Sequence, residues 1–465
     1  MNDPTHYDVL VIGSGPAGQK AAIQAAKVGK RVAVIERERG LGGACVHHGT
    51  IPSKTLREGA LQLDRFKRSA SMVDVTLRGG FEIPSLMNQI DQVVGAHVTY
   101  VTDQLKRNGV ECYHGRAGFL SDKSVEVLAP DRSVKTLSAD IVIIATGSKP
   151  RAPGTISVDH EHILDSDSIV SMVYLPRSLT VLGGGVIACE YASIFASLGV
   201  DVTVIDRAGR PLQFMDQELI ERFVRSFVQK GGLYLSSQPS ATVKWDGVSK
   251  VVTTLADGRI VETDKMLVAF GRTPNLEGLR IDAAGLSLSE RGTLPVDEHY
   301  RTTVPHIYAV GDVIGPPALA ASSMEQGRRA VRHALDLDPG PAPELTPIGV
   351  YTIPEMASVG ITEEEAIARN GSAIVGRALF TEVARGHISG MHDGMLKLVA
   401  DPNGHKLLGA HIIGDGATEL IHVGQMGLLN NCDAEIFVEN IFNFPTLAES
   451  YRVAALDIVK RRRAH

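Results

Sequence analysis

The sequence predicts an α/β protein of two parallel-sheet units followed by a smaller α+β unit, and three observations support this. The first is a recurring pattern: an apolar strand, a glycine-rich turn and an Ala-rich helix. It occurs at YDVLVIGSGPAGQKAAIQAAKVG (7–29) and again at SLTVLGGGVIACEYASIFASLG (178–199). Each copy leads into a short apolar strand ending in an acid, RVAVIE to Glu36 and VDVTVID to Asp206. Strand–helix–strand units of this kind form parallel sheets, so two copies read as two Rossmann-like dinucleotide-binding domains. The second observation is length: 465 residues, at about 150 per domain, suggests three domains. The third is glycine, 47 of those residues, a share above the usual ~7%.

Composition excludes several classes. Hydrophobic residues make up 44% and charged residues 22%, the balance of a globular chain rather than a disordered one. With 47 Lys plus Arg against 53 Asp plus Glu, the net charge is −6, which argues against nucleic acid as the main partner. Four cysteines are too few for a disulfide scaffold and point to a reducing compartment. No apolar run approaches the ~20 residues of a membrane span. The start, with Asp3, His6, Tyr7 and Asp8 before a short Val9–Ile12 run, lacks the basic end and long apolar core of a secretory signal. The chain is therefore expected to be cytoplasmic, with no membrane partner. The closing Arg461, Arg462 and Arg463 read as a solvated helix end.

In the first unit, Gly13 permits a tight turn, Gly15 lets backbone approach a pyrophosphate, and Gly18 lets the helix pack closely on the sheet. The phosphates then meet the positive end of the helix dipole. Glu36, 23 residues after Gly13, is placed to accept both hydroxyls of an adenosine ribose. The motif alone does not distinguish FAD from NAD. Downstream, TTVPHIYAVGDVIG (302–315) places Gly311 and Asp312 at a strand end, where the acid can hydrogen-bond a ribityl chain. A helix beginning near Ala320 can aim N–H groups at a flavin carbonyl.

In the second unit, Gly183, Gly185 and Ala188 repeat the fingerprint. Asp206 suits the free 2′-hydroxyl of NAD, whereas Arg207 and Arg210 offer guanidinium groups to the 2′-phosphate of NADP or else point into solvent. Acid and base side by side predict use of both nucleotides. A Pro-rich stretch around 316–347 marks the junction to the last unit, which mixes strand-like GMLKLVAD and KLLGAHIIG with helical ATELIHVGQMGLLNN.

With ATGSKP (145–150) and LVAFGRTPN (267–275), these segments resemble, in order and along almost the whole chain, the two-dinucleotide-binding flavoprotein disulfide reductases such as lipoamide dehydrogenase and glutathione reductase. The resemblance implies an FAD domain at 1–150 completed by 276–345, an NAD(P) domain at 151–275 and a dimerisation domain at 346–465, hence a homodimer or larger homo-oligomer. It implies one FAD per chain, held by the glycines with Pro16, Ala17, Glu36, Arg37, Gly42, Gly43, Cys45, Thr50 and Lys54. Further along the chain it adds Ala117, Ala145, Thr146, Gly147, Gly311, Asp312, Leu319 and Ala320. NAD(P) would meet Gly183, Gly185, Val186, Ile187, Ala188, Glu190, Asp206, Arg207, Arg210 and Gly271. Lys54 matches the family lysine near flavin N5, and Glu190 its ion-pair partner, so these two are the candidate catalytic residues.

Two parts of the family's disulfide machinery are missing. In GLGGACVHHGTIPSK (40–54) Cys45 holds the first cysteine position, but Thr50 stands at the second. A lone Cys45 is either a redox sensor or, the favoured reading, a semi-buried inert thiol. In FNFPTLAESYRVAALD (442–457) Phe444 occupies the place of the family's base histidine, while Glu449 remains. Adjacent His47 and His48, on an extended segment, would point apart, and no metal site is expected.

The pattern GTIPSK with NFPT and AESYRVAALD looks like the soluble, Si-specific pyridine nucleotide transhydrogenases. The resemblance implies reversible hydride transfer between NADPH and NAD+ through reduced flavin, by ping-pong kinetics and without a redox disulfide. An NAD(P)H:quinone or dye oxidoreductase is the alternative, and a flavin-binding sensor or structural subunit a third reading.

Overall fold

The structure, a computed structural model, describes residues 5–69, 83–151, 153–238 and 240–462; Asp3 and Arg463 lie outside them. The first sheet runs, in spatial order, Glu111–His114, Val32–Glu36, His6–Ile12, Val134–Ile144, Ser124–Leu128 and Arg116–Phe119. Ile307–Ala309 joins it from far downstream, pairing parallel with the end of Val134–Ile144. Its central strands are buried on both faces, by helices on one side (Ala21, Leu105 and Val331 against Val9 and Val34) and by the antiparallel strands and later loops on the other (Phe119, Val127 and Leu286 against Leu10 and Ile35), which is why VLVI and VAVIE read as continuous apolar runs. Helix Pro16–Lys27 starts with the ring of Pro16 at a position whose N–H has no helical partner, and packs its alanines on the sheet.

The second sheet is parallel throughout, in the order Leu233–Leu235, Asp201–Ile205, Ser178–Leu182, Lys265–Val268, Ile163–Leu164. The two units are joined by an antiparallel pair of short strands, Ser148–Pro150 against Arg272–Pro274. The last sheet is antiparallel, ordered Ile348–Val350, Met356–Gly360, Leu407–Ile413, Met395–Ala400 and Ile374–Leu379. Helices Ala417–Leu429 and Glu449–Arg462 pack over it around Phe437 and Tyr451. An apolar cluster containing Cys189, Leu212, Met215, Met356 and Met395 fuses this sheet to the second unit.

The described chain closes, as read, on a helix end, that of Glu449–Arg462, with Arg461 exposed. Arg461 pairs with Asp457 at 3.0 Å, and Arg462 pairs with Glu435 and His405. His47 and His48 differ from their reading on an extended segment: His47 ends a short helix, Gly43–His47, and its Nε2 lies 3.0 Å from the Gly40 carbonyl. The backbone coils here because the glycines at 42 and 43 bend the chain back over the first turn.

Candidate active site

At the carboxyl end of the first sheet, Ile12 faces Ile35 on one side and Ile144 on the other. The chain turns at Gly13, whose φ of +104° suits glycine alone and whose N–H donates to the Ile35 carbonyl. At Gly18 the need is space: a Cβ there would lie 1.9 Å from the Gly13 oxygen. Gly15, by contrast, opens on free space, since a Cβ would meet nothing within 4 Å. Ser14 organises the turn. Its N–H and hydroxyl both donate to Glu36 Oε2, at 2.9 and 2.6 Å, and its Oγ accepts from the Gly42 N–H. Glu38 N–H holds the other Glu36 oxygen. Arg37 reaches Asn275 Oδ1 at 3.1 Å, and Asp312 Oδ2 accepts from Ser148 at 2.6 Å. Leu319 caps helix Ala320–Ala334, which begins where the sequence placed it.

The second turn has the same frame, with Gly183 N–H donating to the Ile205 carbonyl and the helix Val186–Ser197 beginning after Gly185. The residue between the glycines is now Gly184 rather than a serine, and Asp206 closes onto it. A Cβ on Gly184 would stand 2.0 Å from Asp206 Oδ2. Tyr234 donates its hydroxyl to that oxygen at 3.1 Å. Arg207 is exposed, while Arg210 Nη2 donates to the Gln213 carbonyl and its Nη1 is buried with no partner among the described residues.

Between the two turns, Lys54 and Glu190 meet across 136 positions of sequence, Nζ donating to Oε2 at 2.7 Å. Lys54 lies in the second turn of helix Thr50–Ser69, and Glu190 in helix Val186–Ser197. Glu190 is 5% exposed, a depth at which a carboxylate needs partners for both oxygens. The second partner, absent from the sequence reading, is the Tyr351 N–H, 2.8 Å from Oε1.

Beside this pair, burial pushes the Cys45 thiol above its usual range, although a hydrogen bond with Thr50 and the charge of Lys54 oppose the shift. A thiol held neutral in this way is a poor nucleophile. Phe444 is 75% exposed on the C-terminal unit. Glu449 has no ring to orient and instead accepts from the Thr446 N–H at 3.2 Å. One polar cluster escaped the sequence reading: donor atoms of His405, Asp433 and Glu435 lie within 4.8 Å of one another. The Arg462 guanidinium bonds both His405 and Glu435, so a cation already occupies this corner.

The model of the pyridine nucleotide-disulphide oxidoreductase family matches residues 7–333, and that of the family's dimerisation domain matches 346–455. The chain belongs to this family. Within it, the chain is 42% identical over 460 residues to the soluble pyridine nucleotide transhydrogenase of Mycobacterium tuberculosis, covering 98% of both chains. It is 39% identical to the enzyme of that name from Pseudomonas putida, over 98% of this chain and 99% of the other. Among solved structures, LpdA from M. tuberculosis superposes with a TM-score of 0.89 at 28% identity, over 97% of this chain and 99% of that one. The HOCl-induced flavoprotein disulfide reductase RclA from Escherichia coli gives 0.89 at 26% identity, over 98% and 99%. Membership makes the chain an oxidoreductase of the flavoprotein fold with a dimerisation domain. No helix among the described residues is long and apolar enough to cross a membrane.

Proposed function

We propose that this chain is a cytoplasmic, homodimeric NAD(P) transhydrogenase that moves hydride reversibly between NADPH and NAD+ by way of one FAD per chain, with ping-pong kinetics and no redox disulfide. One observation carries the reading: the Lys54–Glu190 pair joins the two glycine-turn units, while the adjoining dithiol position holds Thr50 beside Cys45.

The residues present fit FAD. Gly15 opens on free space at the start of the first helix, room in which a pyrophosphate can meet the helix N-terminus, and Gly43 packs so close that a Cβ there would come within 2.8 Å of Gly15 Cα. Among the described residues Thr146 Oγ1 is buried with no hydrogen-bond partner, a polar atom that a bound group can satisfy. The flavin would supply a ring that takes hydride from one nicotinamide nucleotide and yields it to another. The protein's part is to hold each nucleotide and keep the Lys54 charge at the transfer point.

The second turn supports binding of both nucleotides. Asp206, held by Tyr234, faces the loop that would carry the ribose. The unpartnered Arg210 Nη1 and exposed Arg207 supply cations for a 2′-phosphate, each charge-assisted bond contributing about 1.5–3 kcal/mol. The exposed apolar side chains of Met426, Leu429, Ile441 and Phe444 on the C-terminal unit support a second copy seated there.

The test mixes purified holoprotein with NADPH and an NAD analogue whose reduced form absorbs at its own wavelength. Reduced analogue should appear without added quinone. Flavin reduction with no reduced analogue, alongside fast quinone turnover, would replace this reading with that of a quinone or dye oxidoreductase.

A further inference from the structure

The Tyr351–Glu355 segment of the C-terminal unit lies across both helices that carry the Lys54–Glu190 pair. Its backbone N–H at Tyr351 takes Glu190 Oε1 at 2.8 Å, and the Ile353 N–H donates to Ser193 Oγ at 3.1 Å, one turn further along the same helix. On the other helix, Arg57 is one turn beyond Lys54. Its Nε donates to the Thr352 carbonyl at 3.1 Å, and its Nη2 pairs with Glu355 at 2.8 Å. Glu355 in turn accepts from the Thr418 N–H at 3.2 Å, which ties the segment to helix Ala417–Leu429.

This arrangement limits what Lys54 can do. With Oε1 taken, Glu190 offers the ammonium a single oxygen. An ammonium has three donors. One goes to Glu190 at 2.7 Å, and Ser53 Oγ at 3.4 Å takes another only weakly. The Tyr351 ring centroid lies 4.8 Å from Nζ, within cation–π range, so an aromatic ring flanks the charge. The ammonium is thereby held in place without spending its remaining donor.

We propose that Tyr351 is a positioning residue for hydride transfer: its N–H orients Glu190 and its ring fixes the Lys54 ammonium, so the C-terminal unit completes a centre built from the other two. This rests on the reading above that Lys54 serves the flavin.

The test is a double-mutant cycle on the holoenzyme. Tyr351→Leu, with Tyr351→Met as a second ring-free variant should the first fail to fold, is combined with Lys54→Met, and Tyr351→Phe serves as the rescue. Two quantities are read: the single-turnover rate of flavin reduction by NADPH, and the flavin midpoint potential measured by dye equilibration. In the Lys54 background, loss of the ring should slow reduction roughly three- to thirty-fold and move the potential to more negative values, with nucleotide dissociation constants unchanged. Tyr351→Phe should stay within about twofold of wild type, on the same cation–π argument. In the Lys54→Met background the Tyr351 substitutions should have no further effect. Equal losses in both backgrounds, or Tyr351→Phe falling as far as Tyr351→Leu, would reduce Tyr351 to a packing residue and overturn the proposal. Wild-type flavin that is reduced without nucleotide-to-nucleotide transfer would sink the transhydrogenase reading alone, and the cycle would still decide the role of Tyr351. Wild-type flavin that neither nucleotide reduces would leave the midpoint potentials to decide it.

Discussion

Lys397 Nζ lies 2.8 Å from Asp216 Oδ2, with the lysine side chain 1% exposed and the aspartate 0%. Lys397 sits on a strand of the C-terminal sheet, and Asp216 caps helix Gln217–Gln229 of the nucleotide unit by accepting from the Glu218 N–H. Glu363 at 2.6 Å also contacts the ammonium, and Arg377 binds both Glu363 and Glu218. Asp216 ends a segment whose Leu212 N–H donates to the Gly184 carbonyl, so the buried pair and the second glycine turn belong to one rigid stretch.

Replacing Lys397 by Met should cost on the order of 3–5 kcal/mol, because it strands a buried carboxylate. The sign of the pH dependence follows from the shifts. Burial alone would raise Asp216, but His411 and Lys397 hold it below the usual range. Its contribution is therefore present above about pH 3.9 and lost as pH falls through the lowered value. Burial pulls Lys397 down, but Asp216 and Glu363 hold it above the usual lysine. Its contribution is present below about pH 10.4 and lost as pH rises through the raised value. Wild-type thermal midpoints should thus vary little on this account between those limits. In Lys397→Met the buried Asp216 loses its cation, its pKa rises, and the midpoint should drop as pH climbs from 5 to 8. Parallel melting profiles for the two proteins would refute this account.

Gly327 makes a second prediction about how the first turn is held. A Cβ there would lie 2.1 Å from the Ala17 carbonyl oxygen, in the first turn of helix Pro16–Lys27. Its neighbour Gln326 accepts from the Gly311 N–H at 2.8 Å, so adjacent positions of this helix hold two candidate flavin contacts, Ala17 and Gly311. Gly327→Ala should cost at least the ~1–3 kcal/mol of an overpacked core and reduce flavin retained per chain after gel filtration. Gly95→Ala is the control, since its Cβ would meet nothing within 4 Å in an exposed helix. It should be neutral or stabilising by up to ~1 kcal/mol. Full flavin content in Gly327→Ala would disprove the close-packing argument.

The two glycine turns and their terminal acids were legible because each is a local motif with a chemical reason for its spacing, whereas the Lys54–Glu190 encounter, across 136 positions, was expected only from the family resemblance. What was not legible comes from long-range contacts. Ser14 reads as filler between glycines until Glu36 folds onto it, and Tyr351 and Glu355 sit in a segment that reads only as part of a dimerisation unit. Lys397 lies in GMLKLVAD, where a lysine on a strand reads as a solvent-facing residue, and only the approach of Asp216 from 181 positions away makes it internal. Glu449 was legible as a residue but not as a cap, because its partner Thr446 becomes apparent only once the helix start is known.

The last prediction concerns Thr50. Its side chain already bonds the Cys45 thiol, so Thr50→Cys places two thiols together at the start of helix Thr50–Ser69. Oxidation should then consume both thiols, seen as two fewer groups titrating with a thiol reagent than after reduction. Turnover of lipoamide or glutathione disulfide should nonetheless stay at background, because Phe444 cannot accept or return a proton and Glu449 is committed to the Thr446 N–H. Adding Phe444→His supplies the missing base, and general acid–base catalysis of this kind contributes about 10²–10⁴-fold. The double variant should therefore exceed the single one by on the order of a hundredfold. Appreciable disulfide turnover by Thr50→Cys alone would show that the base is supplied elsewhere, and that the loss of the dithiol, rather than the loss of both groups, separates this site from a disulfide reductase.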